Sequence, residues 1–211
     1  MCIICASPKG APQPTTRQIK TMFSHDPHGA GYMVARDGKV EIHKGFMNLS
    51  DLLRQLRQEA FTPDDTVVYH FRISTQAGVT PAMTHPFPLT SSLSNCEKLD
   101  LTCSCGVAHN GIIRMTSTGS RQYSDTALFI TRYMTRLIRT QKDLKDPAVL
   151  EMLEVLTASR LAILDKSGYL ATVGRFIEEN GLLFSNTDYR ESTYQLGKYP
   201  GYRFRNFQEV L

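Results

Sequence analysis

Four short segments of this sequence carry side chains whose chemistry fits together. Cys2 supplies a thiol, Arg72 a planar guanidinium fork, Asn110 and Gly111 a pair of hydrogen-bond donors, and Asp125 a carboxylate. Methionine aminopeptidases readily remove Met1 when the second residue is small. That cleavage would leave a thiol and a free α-amine on one residue. An α-amine titrates near ~8, so it can take the thiol proton close to neutral pH and the nucleophile carries its own base. The Arg72 fork suits bidentate binding of an α-carboxylate, and Asp125 suits an α-ammonium. The Asn110 amide and the Gly111 backbone N–H, which no side chain obstructs, would stabilise a tetrahedral oxyanion. Together these roles describe acyl transfer from the amide of a substrate with an amino-acid head. Singly, each residue has a plainer reading: a small buried hydrophobe, an ion-paired arginine, a tight turn, a first-turn aspartate favoured by the helix dipole. Their order and spacing after a cysteine at position 2 argue for a site.

The elements that must position them are legible in outline. A strand is expected over residues 2–6, then a loop over 9–16 marked by prolines and Gly10. Asp37-Gly38 between residues 31–35 and 40–44 reads as a hairpin. Ser50 is expected to cap a helix to about Ala60, with Leu52, Leu53 and Leu56 on one face. Residues 66–71 read as a buried strand that delivers Arg72 at its end, and 84–100 as an irregular stretch. A strand over 105–109 delivers Asn110-Gly111. Ser124 is expected to cap a helix carrying Asp125, with Ala127, Ile130, Met134, Leu137 and Ile138 at helical spacing. Asp146-Pro147 opens a second helix with Val149, Leu150, Leu153 and Leu156 inward. Strands follow at 161–164, 169–176 and 182–185, with Phe184-Ser185-Asn186 and Tyr189 read as an ordinary strand end in preference to a part of the region near substrate or partner. Strands, two adjacent helices and strands again predict antiparallel sheets with helices packed on them.

At this point a resemblance is visible. Met1-Cys2-Ile3-Ile4, His70-Phe71-Arg72-Ile73-Ser74-Thr75, Thr84-His85-Pro86, Ala108-His109-Asn110-Gly111-Ile112-Ile113 and Ser124-Asp125-Thr126 resemble the motifs of the class II glutamine amidotransferases, an N-terminal nucleophile hydrolase family. The likeness runs to about Tyr133 and is looser beyond. It implies one domain over 1–211 with an α+β fold, a four-layer αββα sandwich of two mainly antiparallel sheets. It also implies a glutaminase: Cys2 attacks the glutamine side-chain amide, forms a γ-glutamyl thioester and releases ammonia for a partner synthetase subunit. Asn110 and Gly111 would complete the catalytic set, with Arg72, Thr75, His85 and Asp125 binding substrate, and no cofactor or metal is implied. The sequence departs from the family at Ile3, where the family has Gly, and at Gln76, where many members have His. Another amide substrate, or a weakly catalytic homologue serving as a binding module, is the alternative.

Composition narrows the rivals. Charged residues are 21% of the 211 and the formal net charge is only +4, so Arg132, Arg136, Arg139 and Lys142 at helical spacing read as a solvated face rather than a nucleic-acid stripe. Arg203 and Arg205 add C-terminal charge. No apolar run approaches the ~20 residues of a membrane span and no signal pattern is seen, so cytoplasmic residence is expected. Five cysteines without that signal favour free thiols over disulfides. Cys2-x-x-Cys5 with Cys103-x-Cys105 is the metal-binding rival, disfavoured because Cys-x-Cys is poor zinc spacing.

Overall fold

A computed structural model describes residues 1–74, 78–116 and 122–191. Within them the strands are β1 (Ile3–Ser7), β2 (Ala30–Arg36), β3 (Lys39–Phe46), β4 (Thr66–Phe71), β5 (Phe87–Pro88), β6 (Asp100–Cys103), β7 (Cys105–Asn110), β8 (Arg160–Asp165), β9 (Leu170–Val173), β10 (Ile177–Glu179) and β11 (Leu182–Phe184). The helices are α1 (Thr16–His25), α2 (Leu49–Glu59), α3 (Leu93–Glu97), α4 (Asp125–Phe129), α5 (Thr135–Leu137), α6 (Gln141–Lys145) and α7 (Pro147–Thr157). Two antiparallel sheets result, one of seven strands in the order β10-β11-β1-β4-β2-β3-β6 and one of four in the order β5-β7-β8-β9. The class is α+β, as the order of strands and helices predicts.

Strand alternation sorts the apolar residues into three clusters. Along β1, Ile3 and Cys5 join α1 and α2 residues such as Ile19, Met22 and Leu52, whereas Ile4 and Ala6 face Ala108, Ala162 and Leu164 of the four-stranded sheet. Along β7, Cys105 and Val107 point the other way, toward Phe129, Met134 and Leu153 on the remaining helices. The side-chain period of two in a strand produces this division. The shared cluster sets Ala6, Ala108 and Ala162 among larger residues such as Met33, Ile42 and Leu164, and a Cβ on Gly106 would fall 2.5 Å from Met33 Sδ.

Local signals set most element ends. Asp37 and Gly38 both adopt positive φ, 49° and 70°, as a two-residue hairpin turn of the primed type requires. Ser124 caps α4 through its hydroxyl, and Asp146 caps α7 with Pro147 in the first turn. Three expectations are corrected. The cap of α2 is Asn48, whose side chain accepts from Asp51 N, while the Ser50 hydroxyl only donates to Asn48 Oδ1 at 2.8 Å. The helix begun at Ser124 widens into a π turn over Ile130–Met134 and ends at Leu137, with Ile138 extended. Arg139 and Lys142 therefore do not continue a stripe with Arg132 and Arg136. The strand expected over 169–176 is only β9, Leu170–Val173, and a separate strand, β10, follows at Ile177–Glu179. Helix α1 was not anticipated, although Thr15 and Gln18 form a reciprocal capping box whose Thr-x-x-Gln spacing is a helix-start signature.

The cap assignment yields a measurable difference. Asn48→Ala is expected to lower the unfolding free energy by about 1 kcal/mol in urea denaturation, and Ser50→Ala by under about 0.5 kcal/mol. The reverse ranking would contradict the cap.

Candidate active site

Strand parity places the candidate residues before any distance is considered. Cys2 falls on the same side of β1 as Ile4 and Ala6, Arg72 on the same side of β4 as Val68 and His70, and Asn110 on the same side of β7 as Ala108. All three side chains therefore turn toward the space between the sheets, at the end where β1 begins and β4 and β7 finish. There, Cys2, Arg72, Ile73, His85, His109, Gly111, Ser124, Asp125 and Thr126 line one cleft of about 30 Å³, room for one or two waters.

The thiol is pinned by the backbone of β4's continuation, with Cys2 Sγ 3.4 Å from both the N and the O of Ile73. Burial pushes the Cys2 thiol above its ordinary value. The Ile73 hydrogen bond, Arg72 and the terminal amine pull it down, and Asp26 pushes it up. Asn186 donates to Cys2 O at 3.0 Å. Arg72 is 4% exposed and donates to Gly78 O at 3.2 Å and Ser74 Oγ at 3.1 Å. Its backbone is clamped to the loop before β2, with His28 N to Arg72 O at 2.9 Å and Arg72 N to Gly29 O at 2.8 Å. Asp125 receives Ile113 N at 2.6 Å on Oδ2, and Thr126 N at 2.8 Å on Oδ1. Two carboxylate oxygens offer about four lone pairs, so capacity remains on the cleft side for a cationic group.

Asn110 is buried beside the cleft rather than on its wall. Its Nδ2 donates to Ser185 Oγ at 2.9 Å, the same hydroxyl that receives Ile4 N at 2.8 Å. Gly111 has φ +148°, and a Cβ there would lie 2.3 Å from Ser159 Oγ and 2.7 Å from Ser159 Cβ, so both conformation and space require glycine. His85 and His109 line the cleft, and His70 packs against His85. His70 Nε2 lies 2.9 Å from His109 O, His85 Nδ1 3.4 Å from His109 N, and His109 Nδ1 2.7 Å from Thr126 Oγ1. Register explains His85: β5 pairs Phe87 with Val107, so residue 85 lies opposite His109 and its ring takes over the strand-edge contacts. Burial lowers all three imidazoles, His70 to about 3, His109 to about 4 and His85 well below its usual range.

The structure thus brings Cys2, Arg72, His85, Gly111 and Asp125 to one cleft with Asn110 immediately behind it. Thr75, like Gln76, Arg203 and Arg205, lies outside the described residues. Ser185 and Asn186, read from sequence as a strand end, tie β11 to the other parts of the site. No local pattern announces them, because the Ser185–Ile4 contact spans 181 positions. The four thiols of the metal-binding rival do not converge: Cys5 lies in the cluster under α1 and α2, and Cys105 in the cluster on the far side of the other sheet. Among the described residues no group of three His, Cys, Asp or Glu is placed to share a metal ion. No family model matches the chain, and no curated protein matches it.

Two outcomes follow from the geometry. Gly111→Ala is expected to lose at least about 2 kcal/mol of unfolding free energy, since strain and overpacking each cost about 1–3 kcal/mol; wild-type stability in urea would refute the close approach. The second outcome is acid sensitivity. The three imidazoles stay neutral in the folded chain but take protons near ~6.5 once unfolded, so stability falls as pH drops through that range. Asp26, raised by burial to about 7, opposes this by holding a proton that the unfolded chain releases. Lys44, lowered by burial to about 7, changes stability only above that pH. Three groups outweigh one, giving a loss of up to about 3 kcal/mol per pH unit between pH 6 and 5. Equal or greater stability at pH 5 than at pH 7 would refute it.

Proposed function

We propose that this chain is a glutaminase of the class II glutamine amidotransferase type, with the four-layer αββα sandwich of the N-terminal nucleophile hydrolases. One observation carries the reading: the Cys2 thiol shares a single small cleft with the Arg72 guanidinium, the Asp125 carboxylate and Gly111. The fold is consistent with it, since two facing sheets have helices packed against their outer faces.

In this mechanism Met1, 68% exposed, is removed and the Cys2 α-amine becomes the base. The amine takes the thiol proton, and the sulfur attacks the glutamine side-chain carbonyl. Arg72 binds the substrate carboxylate and Asp125 the ammonium, fixing the reacting amide against Cys2. The Gly111 N–H and the Asn110 amide receive the oxyanion. Asn110 serves once its amide is turned: the Ser185 hydroxyl then donates to Asn110 Oδ1 while still accepting from Ile4 N, which releases Nδ2 as donor. As the tetrahedral centre collapses, the Cys2 ammonium gives its proton to the leaving nitrogen, which departs as ammonia. The freed amine then takes a proton from the water that hydrolyses the γ-glutamyl thioester and returns it to the sulfur. The ammonia passes to a partner synthetase. At about 30 Å³ the cleft must widen to admit glutamine.

The test joins the mass of the purified chain to an assay of glutamate release. A mass lacking Met1 and glutamine-dependent glutamate release that Cys2→Ala abolishes are expected. Glutamate release by the Cys2→Ala protein at the wild-type rate would reject the mechanism.

A further inference from the structure

A second carboxylate stands close to the nucleophile with nothing to satisfy it. Asp26 follows the last turn of α1, where its backbone N–H donates to Met22 O at 3.0 Å. It is 1% exposed, and both carboxylate oxygens are buried without a hydrogen-bond partner among the described residues. An unpaired buried carboxylate costs several kcal/mol, so such a group calls for a cation. The next residue, Pro27, forms a bridge with Arg72, so Asp26 is held at the same end of the sheet as the cleft. Its charge acts on the Cys2 thiol, and the terminal amine of Met1 acts on it in turn.

The other charged or titratable groups nearby are accounted for. Asp188 is engaged, its Oδ2 receiving Asn186 Nδ2 at 2.8 Å and its N–H donating to Asn186 Oδ1 at 3.0 Å. His25 Nδ1 turns to Asp188 O at 2.8 Å, and His28 Nδ1 accepts from Ser74 N at 2.9 Å. The guanidinium of Arg72 donates to Gly78 and Ser74. That leaves the terminal amine, here on Met1, as the cation whose field reaches Asp26, and loss of Met1 would move that amine to Cys2.

We infer that Asp26 is a positioning residue, the counter-ion that holds the terminal ammonium of the mature Cys2 in a row of thiol, amine and carboxylate. The inference rests on the proposed loss of Met1 and use of Cys2 as nucleophile. In the row the thiol S–H bond breaks and an amine N–H bond forms, giving thiolate and ammonium. Asp26 takes no proton. It stabilises the ammonium as it forms, the part that an aspartate plays beside a catalytic histidine. Burial without the amine favours the protonated carboxyl, in keeping with its shift to about 7. Pairing restores the carboxylate.

The test follows the Cα and Cβ shifts of Cys2 against pH by NMR in Met1-free protein carrying ¹³C-labelled cysteine, so that the amine and thiol steps are read separately. A partner charge at ~4–6 Å shifts a titration by ~1–3 units. The amine step is expected to fall by at least about one unit in Asp26→Asn and to move far less in Asp188→Asn. An amine step unmoved by Asp26→Asn, or moved as much by Asp188→Asn, would overturn the assignment. Should Asp26→Asn fail to fold, the wild-type protein decides alone. Its amine must titrate higher folded than in urea, and an equal or lower folded value overturns the pairing. Because the titration needs no turnover, absence of glutamate release would sink the glutaminase reading and leave this result standing on its own.

Discussion

The hydroxyl of Ser185 lies between two strands that belong to different sheets. It accepts the N–H of Ile4 in β1 and meets the amide of Asn110 at the end of β7. Apolar contact between sheets is tolerant of small slides, because dispersion and burial are weakly directional. A buried N–H is not tolerant, because leaving it unpaired costs about 1–3 kcal/mol. The hydroxyl therefore fixes how far β1 is advanced relative to β7, and with it the distance from Cys2 to Asn110 and Gly111. The apolar packing at the centre of the sandwich tolerates such slides, and the hydrogen bond selects one register among them.

The imidazoles extend the same logic to the open edge of β7. Strand β5 is two residues long and is followed, going backward, by Pro86, which has no N–H. Ring nitrogens of His85 and His70 take up the backbone groups of His109 that a longer strand would have met. The His70 and His85 ring centroids lie 4.3 Å apart with the planes tilted by 41°, a closeness that suits neutral rings and not a pair of charged ones. A side-chain edge of this kind ends the sheet with imidazoles that line the cleft beside Cys2.

Local chemistry was legible in the sequence, and distant partnership was not. Asp37-Gly38, Ser124 and Asp146-Pro147 each act on their own neighbours and mark their elements correctly. Residues 66–71 were read to the residue because their β-branched and aromatic run is buried on both faces. The cap of α2 was misplaced by two positions because Ser50 and Asn48 are both good caps and only Asn48 has the extended backbone that a cap needs. The short strands β6 and β10 carry too few residues to show a period. In the site, Cys2, Arg72, Gly111 and Asp125 could be named from type and order. Asp26 could not, and Ser185 and Asn186 read more readily as an ordinary strand end than as part of the site, since each matters through a residue remote in sequence. The end of the helix at Leu137 was hidden because Ile138 stays buried and so keeps the apolar rhythm past the break.

The position of β1 within its sheet has a consequence for assembly. It is an interior strand whose neighbours are β4 and β11, and β11 lies far from it along the chain. Until the final hairpin docks, one edge of β1 carries unpaired N–H and C=O groups, an adhesive surface for other chains. Closing so long a loop is entropically slow, and chains dominated by such distant pairings fold late. The pocket around Cys2 therefore cannot be complete in any state that lacks β10 and β11.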